Sequence, residues 1–172
     1  MKLTEHIFLI GFMGCGKSTN GLCLARLAGT ERLEMDEMIV KEQGMEISDL
    51  FAQYGETYFR DLETKLIGSL REHRPSVISC GGGAVLREEN TAMMKSMGKI
   101  VLLTASPMTI YHRVKDSTSR PVLNGHMNPD DIRKLMEIRR PRYEAAADLI
   151  ISTDGKSVEE ICREILCQMN SQ

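Results

Sequence analysis

The sequence predicts an α/β protein of three layers, with a central five-stranded parallel sheet and helices on both faces. Three observations lead there. Apolar runs of strand length alternate with helical patterns along the chain. A glycine-rich motif stands between the first such run and the first helix. The 172 residues contain no internal repeat or linker, which suits one domain, 1–172, around one core.

In chain order, the strand-like runs are 6–10, 32–35, 76–79, 99–104 and 149–152. Helical patterns cover 19–28, 36–43, 47–54, 56–72, 88–97, 108–115, 129–146 and 158–169. In the first helix, Leu22, Leu24, Ala25 and Leu27 are expected on the apolar side, and Gly29 follows its end. Parallel sheets of this kind collect ligands beyond the carboxyl ends of their strands, so the residues after each strand are the ones to inspect.

After the first strand comes Gly11-Phe12-Met13-Gly14-Cys15-Gly16-Lys17-Ser18. Glycine, four residues, then Gly-Lys-Ser, between a strand and a helix, is a phosphate-binding loop. Its glycines leave room for an anion, and the N–H groups of Gly14, Cys15, Gly16, Lys17, Ser18 and Thr19 converge on it at the positive end of the helix. Lys17 is expected on the β- and γ-phosphates, and the Ser18 hydroxyl on magnesium between them. A glycine-rich turn beside a surface lysine is the plain alternative, and the flanking elements argue against it.

The second strand runs into Glu34-Met35-Asp36, a spacing that puts two carboxylates on one side of an extended backbone. The third runs into Gly81-Gly82-Gly83, explained by close approach of the backbone to a ligand, or by a plain flexible loop. Neither the third nor the fourth strand ends in an aspartate. Glu34 and Asp36 are therefore the acidic groups expected near the metal. Arg60 has Glu63 three residues on and able to hold it. Arg139 lies late in the helical stretch 129–146, and the polar, turn-rich 115–127 has the length of an active-site lid. For any single arginine, a solvated salt bridge is the bland reading.

A net charge of −2 with 27% charged residues gives no basic excess for nucleic acid. No apolar run is long enough for a membrane span, and the start of the chain shows no secretory signal. The five cysteines form no Cys-x-x-Cys pair and are expected as reduced thiols in a cytoplasmic protein. With no apolar helix face beyond core needs, a monomer is expected.

Taken together, these residues closely resemble the shikimate kinase family, from the first strand to the last helix. The resemblance rests on the phosphate loop, Asp36, Phe59-Arg60-Asp61-Leu62-Glu63, Gly81-Gly82-Gly83-Ala84, the lid pair Arg120-Pro121 and Arg139-Arg140-Pro141-Arg142-Tyr143. It implies ATP and Mg2+ as cofactors and transfer of the γ-phosphoryl group to the 3-hydroxyl of shikimate. By the same resemblance, Asp36, Lys17 and Arg120 are catalytic, and Arg113 stacks on adenine. The resemblance also implies that Asp36, Arg60, Gly81, Gly82, Gly83 and Arg139 hold shikimate, within a substrate-binding region at 36–63. The chemistry agrees. Paired arginines clamp a carboxylate, an aspartate orients or deprotonates a hydroxyl, and Lys17, Arg120 and magnesium meet charge on the transferring group.

Two positions depart from the family's pattern. Glu34 stands where an Asp-x-Asp is usual, and Arg120-Pro121-Val122-Leu123 where Arg-Pro-Leu-Leu is common. With the longer side chain, either the metal shifts toward Glu34 or Glu34 reaches it through water; the water-mediated contact is the expectation. Other readings are a gluconate or nucleoside monophosphate kinase, a non-catalytic ATP-binding module, and a GTPase-type switch. Against the last, the chain has no guanine-specifying Asn-Lys-x-Asp.

Overall fold

The computed structural model describes residues 3–115 and 128–170. Five parallel strands form one sheet in the order β2-β3-β1-β4-β5. They are β1 (His6–Ile10), β2 (Arg32–Glu34), β3 (Val77–Ser79), β4 (Gly98–Thr104) and β5 (Leu149–Ser152). All five residues of β1 are buried, as a strand paired on both sides and covered on both faces must be. β5 lies at an edge and alternates, with Leu149 and Ile151 inward and Ile150 and Ser152 outward.

Among the described residues, seven α-helices accompany the sheet: α1 (Lys17–Ala28), α2 (Met35–Gln43), α3 (Ile47–Ser69), α4 (Glu88–Met97), α5 (Pro107–Val114), α6 (Pro129–Ala146) and α7 (Val158–Asn170). α1 and α7 pack together on one face of the sheet, and α3, α4 and α6 cover the other. No helix among the described residues is long and apolar enough to cross a membrane. The termini of α5 and α6 are set locally: Ser106 and Asn128 accept backbone N–H bonds from Thr109 and Asp131, each followed by a proline.

Helix α3 breaks at Gly55, whose φ of 81° and ψ of 174° lie outside helical space. The expected division into 47–54 and 56–72 follows this break, and a single 3₁₀ turn, Leu70–Glu72, finishes the second part. That turn is tied to the sheet by His6, whose Nε2 donates to the Leu70 carbonyl at 3.0 Å. The same ring accepts the Ser76 N–H on Nδ1 at 3.1 Å, which fixes the orientation of the ring inside the core.

Two expectations are corrected. Leu22 and Leu27 are exposed; the buried face of α1 is Asn20, Gly21, Leu24, Ala25 and Ala28. The true stripe is hidden in the sequence because a polar and a small residue occupy it. The Asn20 amide nitrogen donates to the Gly16 carbonyl at 2.8 Å, and Gly21 leaves room for Leu9 of β1. The second correction concerns Asp36, which stands in the first turn of α2 and not on extended backbone. β2 ends at Glu34 because Met35, fully buried, already starts the helix. A carboxylate in a first helical turn is favoured by the helix dipole.

Candidate active site

The carboxyl ends of β1, β2 and β3 open into one cavity of about 540 Å³. Its lining includes Gly14, Gly16, Lys17, Ser18 and Thr19 from the loop and first turn of α1, and Glu34 and Asp36 after β2. Arg60 and Glu63 enter from α3, Gly81, Gly82 and Gly83 from the turn after β3, Arg113 from α5 and Arg139 from α6. Residues from six separate stretches of chain therefore meet at the edge of the sheet predicted to hold ligands.

In the glycine loop, Gly16 caps α1 with φ 98°, a left-handed conformation that a side chain would strain. The helix consequently begins at Lys17, two residues before the sequence pattern marks it, and its first turn lines the cavity. Lys17 Nζ donates to the carbonyls of Gly11 at 2.8 Å and Phe12 at 3.1 Å, which holds the ammonium over the loop. Cys15 is a different case. Its side chain is fully buried and its N–H closes a turn onto the Phe12 carbonyl at 3.2 Å. The structure does not bring Cys15 into the cavity lining.

Arg60 lies between two carboxylates of its own helix. Glu56 receives Nη2 at 3.0 Å, and the fully buried Glu63 receives Nη1 at 2.6 Å. Burial pushes the Glu63 carboxyl above its ordinary range, against the pull of Arg60. Glu63 Oε1 has no hydrogen-bond partner among the described residues and lies beside Gly81. A buried acceptor in this state suits a hydroxyl-bearing ligand.

The glycine run has a spatial reason. A Cβ on Gly81 would lie 2.6 Å from Glu63 Oε1 and 3.2 Å from Asp36 Oδ1. On Gly82 it would stand 3.5 Å from Arg139 Nη1, and on Gly83 it would run into the Arg60 guanidinium. None of the three has positive φ. Gly81 and Gly83 therefore make room for Glu63 and Arg60, whereas a Cβ on Gly82 would meet Arg139 only at ordinary contact distance.

Tyr143, not singled out for the site from sequence, donates its hydroxyl to the Gly82 carbonyl at 2.6 Å. The hydroxyl is pushed up by burial, against the nearby Arg139 guanidinium. Tyr143 thus ties the glycine turn to the helix that carries Arg139. The signal for it was the tyrosine four residues after Arg139 on one helical face. On the opposite side, Arg113 Nη1 donates to the Gly14 carbonyl at 3.0 Å and Thr153 Oγ1 at 3.3 Å. Cys80, at the end of β3, is buried, and burial pushes its thiol up, so it packs as a neutral group. Arg120 and most of the expected lid, residues 116–127, lie outside the described residues.

A glycine loop feeding a helix, with a carboxylate and two arginines across the same cavity, is the architecture of a phosphate-loop small-molecule kinase. The pattern of the shikimate kinase family matches residues 13–170. A shikimate kinase of Thermodesulfovibrio yellowstonii is 41% identical over 94% of this chain and 93% of its own length. One from Geobacter sulfurreducens is 42% identical over 94% of this chain and 88% of that protein. Among solved structures, a shikimate kinase from Acinetobacter baumannii in complex with shikimate superposes with a TM-score of 0.92 at 32% identity, covering 97% of this chain and 93% of that one. The Aquifex aeolicus shikimate kinase gives 0.82 at 38%, covering 96% of each. A gluconokinase from Sinorhizobium meliloti, at 20% identity and 0.64, shares the fold alone. The chain belongs to the shikimate kinase family.

Proposed function

We propose that this chain transfers the γ-phosphoryl group of ATP to the 3-hydroxyl of shikimate, giving shikimate 3-phosphate and ADP. The observation that carries the reading is the single cavity in which Lys17, Ser18 and Thr19 face Asp36, Arg60 and Arg139. The loop N–H groups and Lys17 bind the phosphates, and Arg113, held between Gly14 and Thr153, forms one wall for the base. Arg60 and Arg139 receive the carboxylate of shikimate; the glycine turn and Asp36 receive its hydroxyls. Asp36 orients the attacking hydroxyl and takes its proton as the bond to phosphorus forms. Lys17, joined by Arg120 of a lid at 115–127, stabilises the spreading negative charge, and residues 36–63 form the substrate-binding region.

A divalent cation fits the donors. Ser18 and Glu34 offer only oxygen to the cavity, and no cluster of three or more histidine, cysteine, aspartate or glutamate residues among the described residues could hold a metal by itself. That suits Mg2+, which keeps several waters and binds through few protein groups plus substrate phosphates. Ser18 would hold it directly and Glu34 through water, and the ion would neutralise charge between the β- and γ-phosphates. The five cysteines form no disulfide, in keeping with a cytoplasmic enzyme, and we read the active unit as a monomer. ADP release followed with shikimate present and absent tests the whole reading. Turnover with gluconate or a nucleoside monophosphate but not shikimate overturns it.

A further inference from the structure

We propose that Arg32 is a positioning residue for the metal side of the phosphate site. Its ion pair with Glu34 directs that carboxylate and cancels part of the charge the carboxylate presents to a divalent cation. The inference rests on the proposed reading of Glu34 as a contact to metal-bound water.

The argument begins with β2, three residues long, in which positions two apart project to the same side. Arg32 and Glu34 are such a pair, and Nη1 of Arg32 meets Oε2 of Glu34 at 2.6 Å. The stem of Arg32 lies along α1 at Gly21, where a Cβ would stand 3.6 Å from its Cγ and Cδ. The Arg32 stem thus packs against α1 on its way to the end of its own strand. The pair is largely shielded, with side-chain exposures of 23% for Arg32 and 13% for Glu34. Its attraction is therefore less screened than that of a surface pair. A second carboxylate, the exposed Glu37, lies 3.5 Å from Nη2 of Arg32. Arg32 keeps that partner when Glu34 turns to a metal-bound water.

Arg32 acts on a bound cation in two opposing ways. It holds Glu34 in a defined direction, which helps, and it adds a positive charge behind that carboxylate, which hinders. The tether governs one water-mediated contact, whereas repulsion between a guanidinium and a dication acts over the whole distance within a Debye length of about 8–10 Å. Charge therefore wins, and Arg32 loosens the metal relative to an unpaired Glu34.

The test uses the full chain saturated with ADP, and free Mn2+ measured by its electron paramagnetic resonance signal. Arg32→Met should tighten Mn2+ by about threefold or more, and Arg32→Lys, which keeps the charge, should match the parent. Glu34→Gln should loosen Mn2+, because Arg32 then faces the cation uncompensated. The double variant should recover most of that loss. Arg32→Gln replaces the methionine variant if the latter melts early. If Glu34→Gln loosens Mn2+ but neutral substitution of Arg32 neither tightens it nor rescues, Arg32 only braces the strand and the inference is wrong. If Glu34→Gln leaves Mn2+ binding unchanged, Glu34 does not face the metal, and the underlying reading of Glu34 is what has failed.

Discussion

Glu63 and Arg60 meet at 2.6 Å, one turn apart on α3, with the carboxylate wholly buried and the guanidinium at the cavity wall. Glu63→Gln keeps the shape and removes the charge that aims Arg60. The KM for shikimate should rise about tenfold, the size expected when a charged hydrogen bond is lost. The pair also has a pH signature. Burial raises the Glu63 carboxyl above 4.5, so the folded state holds its proton to higher pH than the unfolded chain does. The stability this contributes is fully present below the unfolded value and is lost as pH rises through the folded one. Urea midpoints measured from pH 4.5 upward should fall less steeply in Glu63→Gln than in the parent, by the ordinary value at which the window opens. Parallel curves would remove Glu63 as the source.

Asp36 and Lys17 share the cavity but should fail differently. Asp36→Asn leaves the phosphate loop intact and should lower kcat by about 10²–10⁴, with ATP affinity little changed. Lys17→Ala should weaken ATP binding and kcat together, the outcome expected of an ammonium proposed to meet the phosphates before and during transfer. Binding of a fluorescent ATP analogue alongside turnover separates the two. A near-normal kcat in Asp36→Asn would contradict the role given to it.

The paired arginines predict a particular pattern of substrate selectivity. Arg60→Ala and Arg139→Ala should each raise the KM for shikimate by one to two orders of magnitude, about 1.5–3 kcal/mol for a charge-assisted bond. An analogue lacking the carboxylate should bind the parent weakly and lose little more in either variant. Equal discrimination in parent and variants would show that the carboxylate is held elsewhere.

Gly83 has an ordinary φ of −105°, so alanine there strains no backbone. Its methyl would instead collide with the Arg60 guanidinium. Gly83→Ala should therefore reproduce the KM defect of Arg60→Ala, and the double variant should be scarcely worse than Arg60→Ala alone, as residues sharing one contact are non-additive. Additive defects would place the two in separate functions.

Most of the fold was legible because its signals are local. The apolar run 6–10, the Gly-Lys-Ser turn and the break at Gly55 each announce themselves within a few residues. What escaped were relations across the chain. Tyr143 meets Gly82 at a separation of 61 residues, and nothing near either predicts the other. The stripe of α1 was misread because Asn20 and Gly21 occupy it; their burial follows from a carbonyl of the loop and a side chain of β1. The glycine run could be seen to lack side chains, but not that Glu63 and Asp36 crowd Gly81 and Arg60 crowds Gly83. Arg32 was passed over although its partner Glu34 is only two residues on, because attention went to the carboxylates at 34 and 36 and not to the strand before them.

The cavity gathers four cationic side chains, Lys17, Arg60, Arg113 and Arg139, against the carboxylates of Glu34, Asp36 and Glu63. The chain as a whole carries a net charge of −2. A triphosphate approaching from far away therefore meets repulsion, and one near the mouth meets attraction focused by the low-dielectric walls. Capture speed is thus governed by the mouth and not by the total charge. Added salt should slow nucleotide association in stopped-flow, whereas a response set by the overall charge would have the opposite sign.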